Sequence, residues 1–175
     1  MIPGERILLR RVEPADYPLV LQWQNDPEIF RWMDYDRVFS LDDIRRSEEH
    51  GAQEGHPFII EAEGRPIGRT GLFGIKPRTQ HGNLYIFVGD RAVQGKGYAR
   101  EALMLLLMYA FDSLNLRLVQ LWTLADNERA IHLYKTLGFV EEARLRARAY
   151  HDGHLSDSLI MSITRDEFER TRTQS

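Results

Sequence analysis

The segment Ala102–Phe111, ALMLLLMYAF, is apolar on every face of a helix. A helix without a polar stripe belongs in an interior, covered by other elements. The run is too short to cross a bilayer, which takes ~20 apolar residues. The cover must therefore come from the rest of the chain. Two β-like runs flank it, Asn83–Asp90 (NLYIFVGD) and Leu116–Ala125 (LRLVQLWTLA), and a buried helix against a sheet is the expected arrangement. Its methionines, Met104 and Met108, read as gap fillers rather than metal ligands.

The remaining pattern is mixed. Arg6–Val12 reads as a first strand. Glu13–Asp26 carries Tyr17, Val20, Leu21 and Trp23 at helical spacing, with Pro14 where a first turn tolerates proline. Ser40–Gln53 reads as a second helix with Ser40 as its N-cap. Phe58–Ile75 is two β-like runs around Glu63-Gly64, a hairpin signal. Asn127–Gly138 is a short helix closed by Gly138. Phe139–Arg165 reads as two strands around Asp152-Gly153. The polar tail from about Asp166 reads as a short helix or a frayed end. This order predicts a single α+β domain over 1–175 with a mainly antiparallel sheet.

Charge and composition narrow the chemistry. The net charge of −3 supplies no global basic field for nucleic acid, and the absence of cysteine excludes disulfides, thiolate metal sites and a cysteine nucleophile. The start shows no basic-then-apolar signal pattern, so a cytoplasmic, membrane-free protein is expected. There is no H-E-x-x-H, His cluster or EF-hand loop, so no metal is expected. Ser156 and Ser158 lie near HDGH, but without G-x-S-x-G they make no nucleophile elbow.

The Gly-rich stretch Asp90–Glu101, DRAVQGKGYARE, enters the apolar helix. Glycine allows close approach to the unpaired N–H groups of a helix start, where an anion is favoured. A Walker loop needs four residues between its glycines; Gly89 and Gly95 have five, and Lys96 precedes Gly97. A dinucleotide fingerprint fails at its third place, Arg100. A kinase loop lacks H-R-D and D-F-G. What remains is Gln94-x-x-Gly97-x-Ala99, which alone is also compatible with a turn whose glycines serve geometry only.

A second segment, ADNERAIHLYKTLGF (125–139), stands one helix and one strand later. Together the two resemble the GNAT N-acetyltransferase family, through Q/R-x-x-G-x-G/A and N-x-x-A-x-x-x-Y-x-x-L-G-F. Asn127, Ala130, Tyr134, Leu137, Gly138 and Phe139 carry the second motif. The similarity is to the branch of ribosomal-protein and spermidine acetyltransferases. It implies a mixed, mainly antiparallel sheet flanked by helices, with a splay between two strands. It also implies acetyl-CoA as co-substrate and a primary amine as acceptor; the final hairpin could add an edge to a homodimer, as in some relatives, or equally be an internal sheet edge.

The resemblance assigns roles residue by residue. The backbone of Phe87, Val88 and Gly89 would pair with pantetheine. Amides from Gln94 and Gly95 through Lys96, Gly97, Tyr98 and Ala99 to Arg100 would wrap the pyrophosphate, with Asn127 and Ala130 beside the arm. Tyr134 would be the general acid: a phenol, with pKa about 10, stays protonated at neutral pH and can serve a departing thiolate. Without the motif, Tyr134 reads as a packed core aromatic.

The base is not evident. Asn83 stands where relatives often carry glutamate and cannot accept a proton at neutral pH. A water relay, His81, His132 or an acid of the N-terminal helices could substitute. The acceptor is open too. Residues 34–54 hold Asp34, Asp36, Asp42, Asp43, Glu48, Glu49 and Glu54 against Arg37, Arg45 and Arg46. They make either an acidic wall for a polyamine-like cation or a solvated helix face with i,i+4 pairs such as Asp42–Arg46. The aromatic-acidic run 30–39, FRWMDYDRVF, suits a pocket loop or ordinary packing. A basic protein N-terminus as acceptor, and a CoA-binding sensor without catalysis, are the alternatives.

Overall fold

The computed structural model describes residues 1–33, 35–151 and 153–174. Asp34, Asp152 of the last predicted turn and the side chain of Glu54 lie outside the described residues. One eight-stranded sheet runs β1-β2-β3-β4-β5-β6-β8-β7. Its strands are β1 (Ile2–Pro3), β2 (Ile7–Arg11), β3 (His56–Ala62), β4 (Arg65–Lys76), β5 (His81–Val88), β6 (Leu118–Leu124), β7 (Val140–His151) and β8 (His154–Thr164). The helices are α1 (Tyr17–Gln24), α2 (Pro27–Trp32), α3 (Leu41–Glu54), α4 (Tyr98–Met108), α5 (Glu128–Thr136) and α6 (Arg165–Gln174).

The sheet is buried on both faces, and β3 shows how. Phe58, Ile60 and Ala62 join the core that contains α4, whereas Ile59 joins Val20, Trp23, Ile29 and Ile44 of α1–α3 on the other face. That is the period of two expected of a strand between two layers. In α4, Ala102, Leu103, Leu106 and Leu107 are buried, and each fully buried leucine contributes about 1.5–3 kcal/mol. The helix is not covered all round. Met104 and Leu105 are half-buried, packed at the margin of the core, and Met108 is exposed; a Cβ on Gly4 would meet Leu105. The helical run continues as a π-turn over Tyr109–Ser113. There Arg165 donates to the Phe111 carbonyl at 2.5 Å, satisfying an end group that continued winding would have used.

Three elements are decided only here. Of the two readings of the tail, it takes the helix, because Phe168 is 1% exposed and stacks 5.4 Å from Phe111. Helix α2 was not anticipated; Pro27 opens it and the Asp26 carboxylate accepts from the Glu28 N–H at 3.0 Å. In the final hairpin, β8 is internal, between β6 and β7, and β7 is the edge. The Ser40 cap of α3 is present as a full capping box with Asp43.

The parallel pair β5–β6 shapes the site. It pairs only His81–Asn83 with Leu118–Gln120. β5 stays bonded to β4 as far as Val88, and β6 to β8 as far as Leu124, while the two part from each other.

Candidate active site

A cavity of about 740 Å³ fills the space where β5 and β6 separate. Leu84–Val88 form one wall and Leu121–Leu124 the other. The turn before α4 closes one end, α5 lies along the side, and Glu28, Ile29, Trp32 and Met33 of α2 meet it as well. Of the residues expected from the sequence, Tyr134, Phe87, Val88, Gln94, Gly95, Gly97, Tyr98, Ala99, Arg100, Asn127 and Ala130 all line this one space. Gly89 and Lys96 do not. Gly89 donates its N–H to the Ile67 carbonyl, and a Cβ there would sit 2.4 Å from the Trp23 indole. Its lack of a side chain serves packing against α1. Lys96 is exposed and off the wall.

The turn has the features of an anion site. Gly95 and Gly97 sit at φ +79° and +85°, the left-handed region that glycine enters without strain. Gly97 is the N-cap of α4, so the N–H groups of Tyr98, Ala99 and Arg100 have no intrahelical acceptor, and the helix dipole is positive there. Gln94 Nε2 donates to the Val88 carbonyl at 3.1 Å, binding the turn to the end of β5. Arg129 Nη1 reaches Gln94 Oε1 at 3.5 Å. Arg100 and Arg129 thus put two cations on the wall near the turn. Sequence reasoning missed Arg129, although its place two residues after Asn127 sets it on the first turn of the same helix.

Farther along, Asn127 Oδ1 accepts from the Ala130 N–H at 3.2 Å, capping α5. The cap uses the carbonyl and leaves the amide NH₂ as donor. Tyr134 is 7% exposed, packs 5.8 Å from Phe139, and borders the cavity. No group among the described residues hydrogen-bonds its hydroxyl. Burial alone pushes this phenol up to about 12, so it is fully protonated at neutral pH.

The other end is aromatic. Phe73 stands 6.4 Å from Trp122 and 6.2 Å from Tyr85, ring centre to ring centre, and all three line the cavity. Trp122 occupies the outward position of an alternating strand, and that exposed aromatic was the available signal. Asn83 and His81 are off the wall. Asn83 Nδ2 reaches the Phe73 carbonyl at 3.4 Å, and His81 Nδ1 pairs with the Thr79 hydroxyl at 2.8 Å. His132 does line the cavity, as does Glu28, which is 3.5 Å from Arg91.

Of the acidic residues between 34 and 54, the described Asp36, Asp42, Asp43, Glu48 and Glu49 are not on the cavity wall, so among them the helix-face alternative fits better than an acidic wall. Asp42 pairs with Arg45 and Arg46, Asp43 holds the Ser40 cap, Glu49 faces Arg45, and Glu48 is buried against Arg69. These are i,i+3 and i,i+4 pairs, a cap and one core pair. Among the described residues, no group of His, Asp or Glu is placed to hold a metal ion, and no helix is long and apolar enough to cross a membrane.

Comparison with known proteins adds to this geometry. Residues 6–140 match the family described as the acetyltransferase (GNAT) domain. The chain is 29% identical over 171 residues to the spermidine N(1)-acetyltransferase of Escherichia coli K12, covering 96% of this chain and 91% of the relative. It is 26% identical over 161 residues to the alpha/beta-tubulin-N-acetyltransferase 9 of Drosophila melanogaster, covering 82% and 80%. Among solved structures, the spermidine N-acetyltransferase of Vibrio cholerae in complex with CoA and spermine superimposes with a TM-score of 0.89 at 25% identity, covering 95% of this chain and 99% of that one.

Proposed function

Because the chain belongs to the GNAT acetyltransferase family, we propose that its cleft takes acetyl-CoA and transfers the acetyl group to a primary amine of a small, polyamine-like cation. One observation carries this reading. The cavity between β5 and β6 is lined both by the glycine-opened start of α4, with its unpaired amides, and by a buried, protonated tyrosine. The spermidine acetyltransferase relatives favour the polyamine class.

The unpaired amides of Gly97–Arg100, with Arg100 and Arg129, hold the pyrophosphate. Pantetheine lies along Phe87 and Val88 where β5 lacks a neighbour, as an added strand would. The Asn127 amide donates to the arm. The neutral amine attacks the thioester carbonyl, a C–N bond forms, and the C–S bond breaks with its electron pair on sulfur. Tyr134 hydrogen-bonds that sulfur as charge develops. A phenol at about 12 is a weaker acid than a thiol near 8.5, so Tyr134 ends the cycle protonated. The proton lost by the amine replaces the one delivered to sulfur. It passes from nitrogen to Tyr134 through His132, Glu28 or water, the proton acceptors of the wall, so no proton is released overall.

Two measurements test the reading in order. Acetyl-CoA at about 100 times its dissociation constant stabilises the fold by about 2.7 kcal/mol, seen as a rise in Tm; no rise excludes a CoA site. Thiol release is then followed with polyamines, aminoglycosides, amino acids and basic peptides. Release with polyamines is expected. Release only with peptides overturns the acceptor class, and binding without release overturns catalysis.

A further inference from the structure

The loop between β1 and β2 brings Arg6 beneath the turn that opens α4. Arg6 Nη1 donates to the Lys96 carbonyl at 3.0 Å, and Nε to Glu101 Oε2 at 2.9 Å. The Arg6 backbone N–H donates to the other Glu101 oxygen at 2.8 Å. The guanidinium lies 5.0 Å from the centre of the Tyr98 ring, and a Cβ on Gly97 would meet Nη2 at 3.3 Å. Arg6, Lys96 and Glu101 all lie off the cleft wall; Gly97, Tyr98, Ala99 and Arg100 are on it.

This arrangement has two consequences. The Lys96–Gly97 peptide is trans, so its C=O and N–H point in opposite directions. Holding the Lys96 carbonyl toward Arg6 holds the Gly97 N–H on the opposite side. Gly97, at φ +85°, has no Cβ to restrict that peptide by itself. Glu101 is the acidic residue in the first turn of α4. An unpaired carboxylate there opposes the binding of any anion at the same helix end. Arg6 neutralises it through a contact in which the Glu101 side chain is 15% exposed.

We propose that Arg6 is a positioning residue for the pyrophosphate of CoA: it sets the direction of the Gly97 N–H and cancels the charge of Glu101 without touching the ligand. This rests on the reading of the cleft as an acetyl-CoA site. Its signature is a split between donors. S-acetylpantetheine carries the thioester and the arm but no pyrophosphate.

Calorimetric titration of wild type, Arg6→Gln, Arg6→Lys and Arg6→Gln/Glu101→Gln with both donors tests it. Arg6→Gln weakens acetyl-CoA binding about tenfold or more, the scale of a lost charge-assisted hydrogen bond, and leaves S-acetylpantetheine binding unchanged. Adding Glu101→Gln recovers part of the loss; no recovery overturns the charge-cancelling role. Acetyl-CoA binding equal to wild type in Arg6→Gln, or equal losses with both donors, overturns the proposal. If Arg6→Gln lacks a cooperative unfolding transition, Arg6→Lys decides by the same split, since an ammonium cannot bond Lys96 and Glu101 as a guanidinium does. A wild type that fails to bind acetyl-CoA overturns the acetyl-CoA reading itself; a wild type that binds while the split is missing overturns Arg6 alone.

Discussion

At the scale of single residues, Tyr134 carries two separable expectations. Tyr134→Phe keeps the ring and its packing on Phe139 but removes the hydroxyl proposed to serve the leaving sulfur. Acetyl-CoA affinity stays as it is, and turnover falls roughly 10²-fold, the scale of lost acid catalysis. Steady-state kinetics beside a binding titration show whether both hold. The second expectation concerns stability at high pH. Burial raises the folded phenol to about 12, whereas the unfolded one titrates near 10. Between these values the unfolded chain has lost a proton that the folded chain keeps. Stability contributed by this group is therefore complete below pH 10 and is lost as pH rises toward 12. The buried Tyr35 and Tyr85 phenols are raised too. The readout is thus the difference between wild type and Tyr134→Phe in Tm across pH 9 to 11.5, and the mutant must show the shallower fall. Gly89 is a different kind of residue. Gly89→Ala drives a methyl into the Trp23 indole and costs about 1–3 kcal/mol by overpacking, measured by urea unfolding. Because Gly89 is off the cleft wall, acetyl-CoA affinity changes far less than stability.

At the scale of elements, the turn into α4 and the cap of α3 behave differently. Gly97→Ala places a side chain at φ +85°, which costs about 1–2 kcal/mol, and it crowds Arg6 at the same time. Both stability and acetyl-CoA binding fall. Ser40→Ala removes the acceptor for the Asp43 N–H and costs about 0.5–2 kcal/mol. No contact of Ser40 reaches the cleft, so thermal denaturation shifts while acetyl-CoA binding does not. Both devices were readable in the chain, since capping and left-handed turns are decided by neighbours in sequence. Helix α2 was less readable. Six residues are too few to show a helical period, and its start depends on Asp26 and Pro27 within a run that reads as the end of the preceding helix.

At the scale of the molecule, the helical layer α1–α3 is fastened to the sheet by a buried ion pair. Arg69 of β4 donates to Glu48 of α3 at 2.5 Å, with their side chains 4% and 7% exposed. Glu48 Oε2 and Arg69 Nε make no hydrogen bond among the described residues. Arg69→Met leaves a carboxylate buried without its cation, which costs about 3–5 kcal/mol, whereas the double variant Arg69→Met/Glu48→Leu recovers most of it. Equilibrium unfolding of the single and double variants measures the coupling, and equal losses in both would refute it. The pair also explains why the acidic run was misleading. Asp42, Asp43 and Glu49 find partners on their own helix, but the partner of Glu48 lies 21 positions away, and no pattern in either segment announces it. By itself the sequence determined the α+β class, the glycine turn that opens α4 and the short helix that carries Tyr134, because glycine spacing and a short helix fix local geometry. The tertiary structure alone decided which residues share one cavity. The parting of β5 from β6, the approach of Arg6 to Lys96, and the meeting of Phe73 with Trp122 join segments distant in the chain. Such contacts follow from how layers pack, not from any local periodicity.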